Sequence, residues 1–139
     1  MQFNCLIPEL SVSSLKNSLQ FYVETIGFKI EYFREESKFA FVSLQGCQIM
    51  IEERNGNWET GPLEYPFGRG INFQIFVSHI EPIITSLKMT GHPLMKPVFE
   101  SWYRKDDQEV GQRQFLVQDP DGYLLRFAES LGGRPLKPN

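Results

Sequence analysis

The chain repeats itself. Val12-Ser13-x-Leu15 returns as Val77-Ser78-x-Ile80, 65 positions later, and at that offset Leu10 meets Ile75 and Leu19 meets Ile84. A repeat of this length constrains the fold more than any single element, because each copy must be a supersecondary unit of the same kind. Both copies show one order: a strand, a helix, then three strands. In the first, residues 5–12 alternate, with Leu6, Leu10 and Val12 on one face and Ile7, Glu9 and Ser11 on the other. Pro8 removes one ladder donor, which predicts a free side or a bulge there. Ser13 or Ser14 suits an N-cap. Leu15, Leu19, Tyr22, Val23 and Ile26 follow at helical spacing, and Gly27 ends the helix. Residues 28–33, 38–44 and 47–53 read as strands, with turns at Glu35-Glu36-Ser37 and Gln45-Gly46.

In the second copy, Ile71, Phe73, Ile75 and Val77 alternate with Asn72, Gln74 and Phe76. Ser78 and Glu81 have capping-box spacing, and Pro82 is tolerated in a first helical turn. Ile80, Ile83, Ile84 and Leu87 form the apolar stripe, and Gly91 stops it. Residues 93–99 read as a short strand and 100–110 as a polar loop holding Trp102 and Tyr103. Residues 112–129, QRQFLVQDPDGYLLRFAE, read as two strands joined by Asp119-Pro120-Asp121-Gly122. Pro120 presets φ for the turn, Asp119 bonds its backbone, and Gly122 supplies a positive φ on exit. Arg126 sits in mid-strand between Leu124 and Ala128, which marks a lined cavity.

These patterns predict an α+β fold. Two tandem βαβββ modules, residues 1–54 and 70–131, form a curled mixed sheet around a cleft, with helices on the outer face. Residues 55–69 are a linker and 132–139 a tail, all within one domain. Leu10, Ile49, Ile51, Ile75, Leu125 and Phe127 are expected to face the helices. The linker is rich in Gly, Pro and Asn, yet it carries Trp58, Tyr65 and Phe67, which a merely solvated segment has little reason to hold.

The net charge of −3 disfavours a nucleic-acid binder, which should show a basic face, and is mildly compatible with a cationic ligand. No apolar run is long enough to span a membrane. The N-terminus has no signal-peptide pattern, so the protein is read as cytoplasmic. Cys5 and Cys47 fall on opposite strand faces and are expected to stay reduced.

Leu10-Ser11-Val12 leading to Ser18-Leu19-x-Phe21-Tyr22, then Ile26-Gly27-Phe28, Gly70-Ile71-Asn72-Phe73 and Asp119-Pro120-Asp121-Gly122-Tyr123 carry a family likeness. With them the chain resembles the vicinal-oxygen-chelate superfamily, the glyoxalase and bleomycin-resistance group. Gly111-Gln112-Arg113-Gln114-Phe115 and Trp102-Tyr103-Arg104 look most like its bleomycin-resistance-type members. The resemblance implies that the metal ligands of the superfamily's enzymes fall on Ile7, Glu52, Asn72 and Arg126. Of these only Glu52 is a metal ligand in the expected role. Ile7 has no donor atom, and the Arg126 guanidinium repels a cation. His79 and His92 lack ligand spacing.

The expectation is therefore no metal, no cofactor and no catalytic residue. The resemblance implies a metal-free small-molecule-binding protein of the bleomycin-resistance type. It would sequester a drug, a cationic one included, or an amphipathic ligand in the cleft of a homodimer. Trp58, Tyr65, Phe67, Asn72, Gln74, Trp102, Tyr103, Glu52 and Arg126 would form the site. The alternative is a metal-dependent glyoxalase-like lyase or isomerase, or a ring-cleaving dioxygenase, against which Ile7 and Arg126 argue. In the plainest reading the aromatics are core residues and Glu52 and Arg126 an internal ion pair, with Glu9 and Gln74 on the same face.

Overall fold

Each copy of the repeat builds its own four-stranded mixed sheet. In the computed structural model, which describes residues 1–137, the first copy comprises β1 (Glu9–Val12), α1 (Leu15–Leu19), a π-helical segment (Gln20–Ile26), β2 (Lys29–Arg34), β3 (Phe39–Leu44) and β4 (Cys47–Glu53). The second comprises β5 (Asn72–Phe76), α2 (Glu81–Met89), β6 (Lys96–Lys105), β7 (Gln108–Gln118) and β8 (Leu124–Pro135). The strand orders are β1-β4-β3-β2 and β5-β8-β7-β6. In both, the first strand pairs in parallel with the last, and the other pairings are antiparallel. The chain divides into two compact units. The first is Met1–Ile71 with Asp119–Tyr123; the second is Asn72–Gln118 with the chain from Leu124 onward.

The strand phase follows the alternation in the sequence. Leu10 lies beside Ile51, Ile75 beside Phe127, and Phe73 beside Leu125. All six residues expected to face the helices are buried. One detail ties each helix to that face. The Leu15 amide at the start of α1 donates to Glu53 Oε1 at 3.1 Å, and the Ile80 amide before α2 donates to Glu129 Oε1 at 3.1 Å. Each carboxylate also meets a base of its own sheet, Lys38 for Glu53 and Arg113 for Glu129. Leu15 and Ile80 are a repeat pair, so the duplication extends to how each helix N-terminus is held.

Several boundaries differ from expectation. β1 starts only at Glu9, because Pro8 has no N–H to donate; its carbonyl accepts from Met50 instead, and Leu6 is exposed. Ser14, not Ser13, caps α1 through its hydroxyl. The helix then widens into π geometry, with Gly27 N–H reaching back to Tyr22 O. That wider turn moves the buried line onto Ser18, Phe21, Tyr22, Thr25 and Ile26, and leaves Leu19 and Val23 half-exposed. α2 begins after Ile80, two residues later than the expected N-cap Ser78, and the Ile80 amide donates to the carboxylate of Glu129. The polar loop expected over 100–110 is the hairpin end of β6 and β7, turning at Asp106, where φ is 56°. Nor do residues 132–135 form part of a loose tail: β8 runs through them, pairing Gly132 with Gly111 and Pro135 with Gln108. Residues 138 and 139 of that expected tail lie outside the described residues. Neither cysteine is in a disulfide; Cys5 is exposed, and burial pushes the Cys47 thiol up to about 11. Among the described residues no helix is long and apolar enough to cross a membrane.

Candidate functional site

The face of the second sheet turned away from α2 is polar at its floor and apolar at its margins. β5 contributes Asn72, Gln74 and Phe76, and β8 contributes Leu124, Arg126 and Ala128 in register beside them. β7 places Leu116 opposite Arg126 and Gln114 opposite Ala128. β6 adds Phe99 opposite Gln114 and Ser101 opposite Gln112, with Tyr103 next on the same face.

These side chains form one hydrogen-bonded network. Gln114, fully buried, is its hub. Its amide nitrogen donates to Ser101 Oγ at 3.3 Å and Tyr103 Oη at 3.1 Å. Its oxygen accepts from Gln112 at 3.0 Å and Arg126 Nη1 at 3.4 Å. Gln112 also donates to Gln74 Oε1 at 3.0 Å, and Arg126 Nε donates to Asn72 Oδ1 at 2.7 Å. Donation from Ser101 and Gln114, with Arg126 and Lys96 nearby, holds the Tyr103 hydroxyl below its ordinary pKa. Every hydrogen-bonding position of the Gln114 amide is used, so the floor is rigid. Above it Phe76 is 53% exposed and Tyr103 46% exposed.

Of the residues expected at the site, the structure brings Asn72, Gln74, Tyr103 and Arg126 together on this face. Trp102 lies on the opposite face. Its ring packs on Gly111, where an added Cβ would sit 2.7 Å from it, and Arg134 stacks on it at 3.8 Å. The sequence reading left Gln112, Gln114 and Ser101 out of the site. The signal was present in the glutamines, which alternate with Arg113 in the same phase as Leu116.

The remaining expected residues belong to the first unit. Trp58 is 77% exposed and Tyr65 62% exposed, while Phe67 is buried edge-on against Tyr123. Phe67 is thus a core residue, fixed by its amide donating to Asp121 O. The face of the first sheet turned away from α1 carries Glu9, Gln48, Met50 and Glu52, with Phe39, Phe41 and Tyr32 alongside. The N-terminal residues cover part of this face. Phe3 packs on Phe41 at 5.4 Å, and the Gln48 amide straps the N-terminal residues through Gln2 O and the Asn4 amide, each at 2.7 Å. Burial, reinforced by Glu52 and opposed by Arg34, raises the Glu9 carboxyl.

The sequence reading pairs Glu52 with Arg126, but each finds its partners inside its own unit. Glu52 Oε1 accepts from Asn55 Nδ2 at 2.9 Å, and Arg126 holds Asn72 and Gln114. These donors do not fit a divalent metal. Ile7 offers nothing, Arg126 is a cation, and the Asn72 oxygen is already occupied by that cation.

The Asp119–Tyr123 turn is seated in the first unit. Asp121 accepts from the Ser13 amide at 2.9 Å and its hydroxyl at 2.6 Å, Tyr22 Oη donates to Asp119 Oδ2 at 2.7 Å, and Tyr123 Oη donates to Ser11 O at 2.9 Å. The turn motif is thus structural rather than part of a binding face.

Comparison with known proteins agrees with this architecture. TioX from Micromonospora sp. ML1 is similar over 93% of this chain and 100% of its own, at 17% identity and a TM-score of 0.71. A glyoxalase/bleomycin resistance protein/dioxygenase from Alicyclobacillus acidocaldarius is similar over 92% of each chain, at 18% identity and a TM-score of 0.63. A superfamily member from Vibrio splendidus 12B01 is 31% identical over 90% of this chain and 97% of its own, with a TM-score of 0.41. No curated protein matches. The family model for the glyoxalase/bleomycin resistance protein/dioxygenase superfamily matches residues 7–127, and the chain belongs to that superfamily.

Proposed function

We propose that this protein is a metal-free binding protein for a small amphipathic molecule, held on the open face of the second sheet. The observation that carries this reading is the saturated amide floor around Gln114 beneath the exposed rings of Phe76 and Tyr103. Rigid polar groups below and apolar groups beside them are what a small-molecule site needs. The face carries no carboxylate, imidazole or thiol among its described residues, and its Tyr103 hydroxyl and Lys96 are engaged with Gln114 and the Phe99 ring. Binding is therefore favoured over turnover.

In the same reading two copies of the chain pair, because each sheet ends on two edge strands that another chain can cover. Sequestration of a drug is the biological role we attach to such binding. A thermal-shift screen of bleomycin-type drugs, glutathione adducts, amphipathic acids and divalent metals tests it. A ligand raises the midpoint by mass action. The expected result is a rise with at least one organic compound that a chelator leaves intact. A rise with divalent metal alone, or turnover that the chelator abolishes, overturns the reading.

A further inference from the structure

We infer that the ligand of this face carries a carboxylate head, received by the Arg126 guanidinium, and an apolar body. This rests on the binding function proposed above and names its ligand class. Three observations converge on it.

The first is charge. Arg126 is half-buried, and among the described residues of its unit no carboxylate pairs with it; the acids there are committed to Arg113 and Arg134 or lie off this face. Asn72 and Gln114 give it oxygens but no counter-charge. An incoming anion adds a charge-assisted contact that these neutral oxygens do not give.

The second is the polarity of the rim. At Asn72 and Gln74 the network consumes acceptors and leaves donors. The Asn72 oxygen is taken by Arg126 and the Gln74 oxygen by Gln112, so the amide nitrogens of both remain uncommitted among the described residues. Tyr103 Oη accepts from Gln114, which leaves its own O–H to donate. Together with the remaining guanidinium N–H groups, these donors outnumber the one acceptor Gln112 contributes, its Oε1, since Gln112 enters the network through its nitrogen, and they favour an anionic or acceptor-rich head.

The third is what surrounds that head. Leu116 is directly opposite Arg126, Leu124 is two residues along, and exposed Phe76 stands at the β5 margin. The other nearby base, Lys96, lies over the Phe99 ring at 3.9 Å. One guanidinium in an apolar frame suits a monoanion. Its planar fork matches the two oxygens of a carboxylate.

The test is calorimetric titration of the full chain with 4-phenylbutyrate, 4-phenylbutyramide and phenylphosphonate. The acid is expected to bind about tenfold or more tighter than the amide, the difference being the charged contact. Arg126→Gln should abolish the difference in affinity between acid and amide. Arg126→Lys, which keeps charge but not the fork, should fall between. Circular dichroism checks that each variant is folded, and nitrogen-15 spectra of the parent protein should show the Asn72 and Gln74 side-chain amides moving with the acid. Equal affinity for acid and amide, or an unchanged acid affinity in Arg126→Gln, overturns the carboxylate assignment while the binding reading survives. Phenylphosphonate binding tightest overturns it in favour of a phosphoryl head. If none of the three binds, the inference falls, and the thermal-shift screen separately decides the broader reading.

Discussion

Asp119 shows how one buried side chain sets a pH dependence. Burial pushes its carboxyl up to about 6, and the hydrogen bonds from Tyr22 and from the amides of Tyr123 and Asp121 offset that only in part. The folded state thus holds a proton that the unfolded chain, near pH 4, has released. The contribution is fully present below about pH 4 and is lost as pH rises through about 6, amounting to about 3 kcal/mol. Denaturation of the parent protein and Asp119→Asn across pH 4–7 reads this directly. The difference between them should slope over that window and flatten above it, because the amide mimics the protonated acid. The Gly111 contact gives a second residue-scale expectation. Gly111→Ala drives a methyl into the Trp102 ring and should cost about 1–3 kcal/mol in urea denaturation. Since Trp102 faces away from the network, the same variant should leave ligand affinity unchanged.

Helix and strand seams hold each unit together. The carboxylate that receives the Ile80 amide at the start of α2 comes from β8. Replacing Glu129 with Ala should therefore lower stability by about 1 kcal/mol, the usual cost of a lost cap, although Glu129 is remote in sequence. On the same sheet, Phe127 is fully buried and stacks on Phe115 at 5.6 Å. Phe127→Asp places an unpaired charge there and should cost more than about 4 kcal/mol, seen as loss of cooperative melting.

At the scale of the molecule, the chain is interleaved. The first unit is incomplete without Asp119–Tyr123, which arrives from far along the sequence. A fragment ending at Ile71 loses the partners of Ser13, the Tyr22 hydroxyl and the Phe67 amide. Each buried group left unpaired costs about 1–3 kcal/mol. The fragment should fail to fold cooperatively by circular dichroism, whereas the full chain should melt in a single transition. The full chain is also expected to sediment as a dimer at micromolar concentration; a monomer there would remove the pairing from the proposed function.

The sequence by itself determined the modules. Its duplication fixed the order strand, helix, three strands, and period-two alternation fixed which residues of β4, β5, β7 and β8 are buried, because a one-residue slip would turn every side chain over. The same alternation put Asn72, Gln74 and Arg126 on one face. Local pattern could not reveal the extended hairpin of β6 and β7. Its exposed strands carry polar and aromatic residues on both faces, so no period stands out, and only pairing with a neighbour makes them strands. Nor could the sequence tell that Phe67 is core, that Trp102 turns from the site, or that Gln114 is the hub of the network. Those depend on which atoms meet across strands, and hydrogen-bond partners distant in the chain are chosen by tertiary structure alone. Arg126 drew attention as a charge out of place; the fold decided that its neighbours would be amides instead of a carboxylate.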